Sequence, residues 1–178
     1  AFLWASKGHD KGSISATSVL GDLYAKGKGV KFNSEKAVEL WKAAALQGNT
    51  RAINSLALAY LKGLGVEKNP ERGVELFKKL ASMKPVNAIM TIGGQDEYSS
   101  SSGSLATRPD ILGSFNLGCI YRDGIGVEQD YKESLKWFKV ASEKGHPMST
   151  CNVGAYYMNG WGTEKDYDKA FEYTKKAA

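Results

Sequence analysis

The side chains best suited to moving a proton at neutral pH are two histidines, His9 and His146, and the candidate nucleophiles are two cysteines, Cys119 and Cys151. A catalytic base must reach its nucleophile through a hydrogen bond, with a third group orienting it. Nothing in the order of these residues builds such a set. Each histidine adjoins a glycine, in Gly8-His9 and Gly145-His146-Pro147, which reads as turn chemistry between helical segments. No His-x-x-x-His or paired-cysteine spacing offers a metal site. Two cysteines do not make a disulfide framework, and they leave the compartment open. A Cys119–Cys151 bond is not expected, since it needs Cα atoms within about 7 Å. Gly-x-Gly occurs four times, but phosphate-cradling loops of that type follow a strand, and these follow helical patterns. No catalytic residue, metal or cofactor is expected, and the chain reads as non-enzymatic.

The glycine pairs matter through their spacing. Gly27-Lys28-Gly29-Val30 recurs as Gly63-Leu64-Gly65-Val66, Gly124-Ile125-Gly126-Val127 and Gly160-Trp161-Gly162-Thr163. The first and last intervals are 36 residues, and the middle one is 61, a repeat plus 25. A fixed period of this size marks stacked helix-turn-helix units.

Aligned, the copies explain one another. Tyr24, Tyr60, Tyr121 and Tyr157 share a column, with Leu20, Leu56, Leu117 or Val153 one turn earlier on the same face. Next to that residue stands Gly21, Ala57, Gly118 or Gly154, small enough to predict a second helix crossing at close range. This first helix (A) ends at the leading glycine, suited to a left-handed terminus. Asn33, Asn69, Asp130 and Asp166 then predict N-caps for a second helix (B). Asn69 is followed by Pro70 at the favoured first position, and Asp130 with Glu133 predicts a capping box. Helix B carries small residues (Ala37, Gly73, Ser134, Ala170), then large apolar ones a turn later, and stops at Gly48 or Gly145. Helices of about 12 residues are marginal alone, so stability must come from stacking.

This pattern, Leu-Gly-x-x-Tyr, Gly-x-Gly-Val, an Asn or Asp cap, Ala, Trp or Phe and Ala-Ala, resembles the Sel-1-like repeat of the tetratricopeptide-like group. The resemblance covers nearly the whole chain and implies an all-α, right-handed α-α superhelical solenoid. It implies a protein-interaction scaffold or adaptor, with a structural spacer as the alternative. One cysteine-rich branch binds penicillin-like compounds; with two cysteines this chain lacks that pattern, and the hydrolase reading is not carried over. The expected division is 1–8 as the end of a preceding repeat, repeats at 9–48, 49–84, 110–145 and 146–178, and an insertion at 85–109. A four-residue extension near His9–Gly12 is expected to lengthen one A helix or its lead-in, and Ala5-Ser6-Lys7-Gly8, which resembles Ala45-Leu46-Gln47-Gly48, is expected to be the tail of an earlier helix B.

In the related arrangement helix A lines a concave face. The positions off its tyrosine–leucine side are Ser15, Ser18, Asp22 and Ala25, then Arg51, Asn54, Leu58 and Leu61, then Leu112, Phe115, Cys119 and Arg122, then Met148, Cys151, Ala155 and Met158. The expected partner-binding set is Asn54, Leu58, Leu61, Leu112, Phe115, Cys119, Arg122, Met148, Cys151 and Met158. An increasingly apolar face with methionines suits a peptide or amphipathic helix of another protein, and packing against adjacent repeats is the competing role. The Gly- and Ser-rich insertion around Tyr98 reads as a loop or a docking segment. Trp161, between two glycines, reads as a cover for its own helix pair.

Net charge is +5, but the charges interleave, and no basic stripe with stacking aromatics appears. Nucleic acid is therefore not an expected partner. No run approaches the roughly 18 apolar residues of a membrane span, and the opening residues lack a signal-peptide pattern. A water-soluble chain cut from a longer array, with flanking repeats, is expected.

Overall fold

The repeat columns become helices wherever the sequence supplies a cap and a stop. In the computed structural model, residues 1–84 and 108–177 are described, and every regular element among them is an α-helix. These are α1 (Phe2–Asp10), α2 (Ile14–Lys26), α3 (Ser34–Leu46), α4 (Thr50–Lys62), α5 (Pro70–Ser82), α6 (Pro109–Asp123), α7 (Tyr131–Glu143), α8 (Pro147–Asn159) and α9 (Tyr167–Ala177). Even-numbered helices are A helices; α3, α5, α7 and α9 are the B helices that follow them. The chain divides into two units: residues 1–80 with 124–128, and the remainder.

All four turns between A and B share one mechanism. Asn33, Asn69, Asp130 and Asp166 each accept, on a side-chain oxygen, a backbone N–H from the first turn of helix B, at 2.8–3.0 Å. The backbone N–H of each cap donates to the carbonyl of the column tyrosine, Tyr24, Tyr60, Tyr121 or Tyr157, at 2.9–3.0 Å. That bond displaces the expected capping box: the Asp130 N–H is already taken, and the Glu133 carboxylate pairs with Lys136 at 3.1 Å. The second glycine of the turn is fixed twice over. Gly65 has φ +69°, and a Cβ there would lie 2.2 Å from the Ser34 carbonyl oxygen at the start of the preceding B helix.

Small residues sit where the helices cross. A Cβ on Gly21 would meet the Trp41 indole at 2.7 Å, and one on Gly118 would meet the Phe138 ring at 2.6 Å. Ser134 uses its size differently, donating to the Gly118 carbonyl at 2.7 Å while its hydroxyl meets Tyr156 Oη at 2.7 Å. The first unit gathers Ala5, Leu20, Leu23 and Leu40 in one cluster. The second gathers Leu135, Phe138, Val153, Tyr156, Tyr157 and Ala170. Each large side chain buried this way contributes about 1.5–3 kcal/mol.

The expected extension at His9–Gly12 is corrected. Helix α1 runs through Asp10, and its stop is Gly12 (φ +80°), one period before Gly48 (φ +81°). Gly8 lies inside the helix instead, close enough that a Cβ would stand 2.6 Å from Ala16 Cβ. Sequence similarity around Gly8 therefore misaligns this segment by one helical turn.

Candidate functional site

In the first unit, adjacent A helices α2 and α4 touch, and a groove of about 440 Å³ opens on their shared face. Its floor is polar and fixed. The Asp22 carboxylate, 14% exposed, accepts from Trp41 Nε1 at 3.0 Å, Arg51 Nε at 2.7 Å and Ser55 Oγ at 3.5 Å. One carboxylate thus joins the B helix α3 to both A helices. Leu58, Ala25 and Ala59 form apolar walls, and Phe32 and Leu64 from the turns stand 61% and 53% exposed. Lys26 and Lys62, in the last turns of α2 and α4, complete the lining.

Of the residues singled out from sequence, Asp22, Ala25, Arg51, Asn54 and Leu58 line this groove. Leu61 does not. It is buried, and its Cδ2 would be 2.9 Å from a Cβ on Gly73, so it packs α4 on α5. Ser18 is also buried, whereas Ser15 is exposed. Phe32, Leu64, Lys26, Lys62 and Trp41 were missed. For Phe32 the signal was present: the same turn position holds Lys68, Gln129 and Lys165 in the other repeats.

The second unit separates its candidates. Phe115 and Cys119 are half-buried against the core, with Phe115 6.0 Å from the Phe138 ring and 4.7 Å from the His146 ring. Burial pushes the Cys119 thiol pKa up, which favours the thiol over the nucleophilic thiolate. Arg122 is committed to a bidentate pair with Asp123 at 2.7 and 2.9 Å, and Leu112 is half-buried. Met148, Cys151 and Met158 are exposed on α8, the two methionines at 62% and 50%. Cys119 and Cys151 are free thiols. Tyr98 and nearly all of the insertion lie outside the described residues.

The remaining polar constellations hold helices together. His146 caps α8, its Nδ1 accepting the Ser149 N–H at 3.3 Å, and burial lowers its pKa. His9, in the last turn of α1, meets Thr17 Oγ1 of α2 at 2.8 Å. Burial would raise the pKa of Asp110, but hydrogen bonds from Arg108 and Lys144 outweigh it and hold the carboxyl below its usual value. Trp161 stacks on Tyr131 at 5.8 Å and meets Tyr156 edge-on at 5.5 Å. Among the described residues no group of three or more His, Cys, Asp or Glu could hold a metal ion, and no helix is long and apolar enough to cross a membrane.

Comparison with known proteins places these repeats. The Sel1 repeat family model matches residues 14–49, 50–85, 112–146 and 147–178. Among solved structures, the chain is similar to c5321, a protective antigen present in uropathogenic Escherichia coli strains and displaying an SLR fold. Identity is 24% and TM-score 0.75, covering 99% of this chain and 32% of that one. A Sel1 repeat protein from Oxalobacter formigenes is 29% identical with TM-score 0.67, covering 92% of this chain and 57% of that one. A third, from Klebsiella pneumoniae, is 17% identical with TM-score 0.59, covering 99% and 76%. The chain spans about a third of the length of the first relative and somewhat over half of the second. Matched in four segments that take in most of its length, with every regular element among the described residues an α-helix and the fold shared with solved Sel1 repeat proteins, the chain belongs to the Sel1 repeat family.

Proposed function

We propose that the chain is a non-catalytic scaffold that binds a peptide or partner protein along the exposed faces of its A helices. The observation that carries this reading is the groove of the first unit: a prearranged polar floor around Asp22, with exposed Phe32 and Leu64 above it. A hydrogen-bonded floor holds its shape without a ligand, which lowers the entropy lost on binding. The protein-binding role general to Sel1 repeats supports the same reading. In the second unit, Met148, Cys151 and Met158 form a separate exposed strip on α8, adaptable in shape and suited to an apolar partner.

The groove's polar groups also bear on catalysis. Asp22 holds three donors and Arg51 faces it directly, so neither is poised over open space for proton transfer. The test is capture from a lysate of the source cells with wild type, a Leu58→Lys variant and a Met148→Lys/Met158→Lys variant, each checked for helicity by circular dichroism. Partners held by wild type and lost from one variant locate the binding face. A wild type that retains nothing overturns the scaffold reading in favour of a structural spacer.

A further inference from the structure

We propose that the groove of the first unit receives an extended acidic peptide carrying a bulky apolar side chain. This rests on the scaffold reading and specifies the partner's chemistry. The first argument is where the charge lies. Residues 1–80 and 124–128 hold thirteen Lys and Arg against eight Asp and Glu, a balance of +5, while the rest of the sequence holds eleven of each. The chain's whole net charge therefore belongs to the unit that carries the groove.

The second argument is column by column. Lys26 and Lys62 occupy the same repeat position, the last residue of helix A, and both line the groove. In the other two repeats that position is Asp123 and Asn159. The cationic pair is thus confined to the first unit and is no requirement of the turn. Both lysines are exposed, and neither forms an ion pair with another described residue. Asp22, the only carboxylate among the described residues that line the groove, is already matched by Arg51 and by the Trp41 and Ser55 donors. An incoming carboxylate therefore meets uncompensated positive charge.

The third argument is Phe32. An aromatic ring 61% exposed stands at a turn position that the other repeats fill with Lys68, Gln129 and Lys165. With Leu64 and Leu58 it makes an apolar wall beside the two lysines. Packed helices lie roughly 8–10 Å apart, and alternate side chains of an extended chain are about 7 Å apart. Two flexible lysines on neighbouring A helices match carboxylates at alternate positions, with the apolar side chain set against Phe32. A second depression in this unit, about 560 Å³ between α3 and α5, fits less well. It too is cationic, through Lys42, Arg72 and Lys79 against Glu75, but Arg72 lies over the Tyr60 ring at 5.6 Å and Lys79 already has an interaction partner.

The test uses fluorescein-labelled short peptides on the intact chain, read by fluorescence anisotropy. One alternates Asp or Glu with Leu or Phe, the second replaces its acids by Lys, and the third replaces its apolar residues by Ser. The proposal expects the first to bind best and to weaken as salt is raised. It expects Lys26→Ser/Lys62→Ser and Phe32→Ser each to weaken it about tenfold. All these positions are exposed, so circular dichroism should be unchanged. Equal or tighter binding of the Lys peptide, or of single-stranded DNA of matching charge, overturns the proposal. So does acidic-peptide binding that both variants leave intact. If the acidic peptide fails while lysate partners are still lost from Leu58→Lys, the acidic assignment falls and the scaffold reading stands. If both fail, both fall.

Discussion

His146 caps α8 only while its Nδ1 is unprotonated. Burial lowers its folded pKa below the usual 6.5, so the cap's contribution is complete above pH 6.5 and is lost as pH falls through the folded value. Loss of a cap costs about 1 kcal/mol. We predict that His146→Asn, which keeps an acceptor with no proton to gain, loses less stability than wild type between pH 7 and pH 5 in urea titrations. Parallel curves for the two proteins would remove His146 as the cause. At this scale the sequence was informative wherever a residue serves its own stretch of chain. Asn33, Asn69, Asp130 and Asp166 were legible as caps because each bonds to an N–H three residues on. The Glu133 capping box was not, because the competing bond reaches back nine residues to the Tyr121 carbonyl.

The helices themselves were legible because their crossings are written in small residues, yet equal residues face unequal space. A Cβ on Gly118 would press on the Phe138 ring at 2.6 Å, whereas on Gly154 it would stand 3.3 Å from the Ala170 carbonyl and Thr174 Oγ1. Replacing a mid-helix glycine by alanine gains about 1 kcal/mol of helix propensity, and forcing atoms into a packed crossing costs about 1–3 kcal/mol. Gly118→Ala is therefore expected to destabilise by up to about 2 kcal/mol, with Gly154→Ala staying within about 1 kcal/mol of wild type and the more stable of the two. Thermal melts decide it, and a reversed order would contradict the crossing geometry. What the pattern could not give was the phase of α1, where Gly8 and Gly12 both look like stops. Only packing against Ala16 assigns Gly8 to the helix interior.

On the scale of the molecule, the period exposed the repeats, and the charge columns were there to be read. Which exposed face forms a groove was not, because it depends on which side chains the crossings consume: Leu61 and Phe115 were candidates by position and are spent on packing. Each unit has its own apolar cluster, which predicts that damage stays local. Gly65→Ala combines a left-handed backbone with a 2.2 Å approach to the Ser34 carbonyl oxygen and is expected to cost about 2–3 kcal/mol. Amide hydrogen exchange should then quicken in α3 and α4 and hold steady in α8 and α9. Uniform quickening would show one cooperative block.

The residue enclosed by each pair of glycines has a consequence for how such arrays diversify. Its neighbours are locked by dihedral and by space, but Lys28, Leu64, Ile125 and Trp161 are exposed and range from a cation through two aliphatic side chains to an indole. The same slot gives the first unit part of a groove wall through Leu64 and gives the second a lid over Tyr131 through Trp161. Each repeat thereby carries one freely editable letter inside an otherwise fixed turn. A library randomised at those four codons alone would vary what the array presents while leaving its caps, stops and crossings intact.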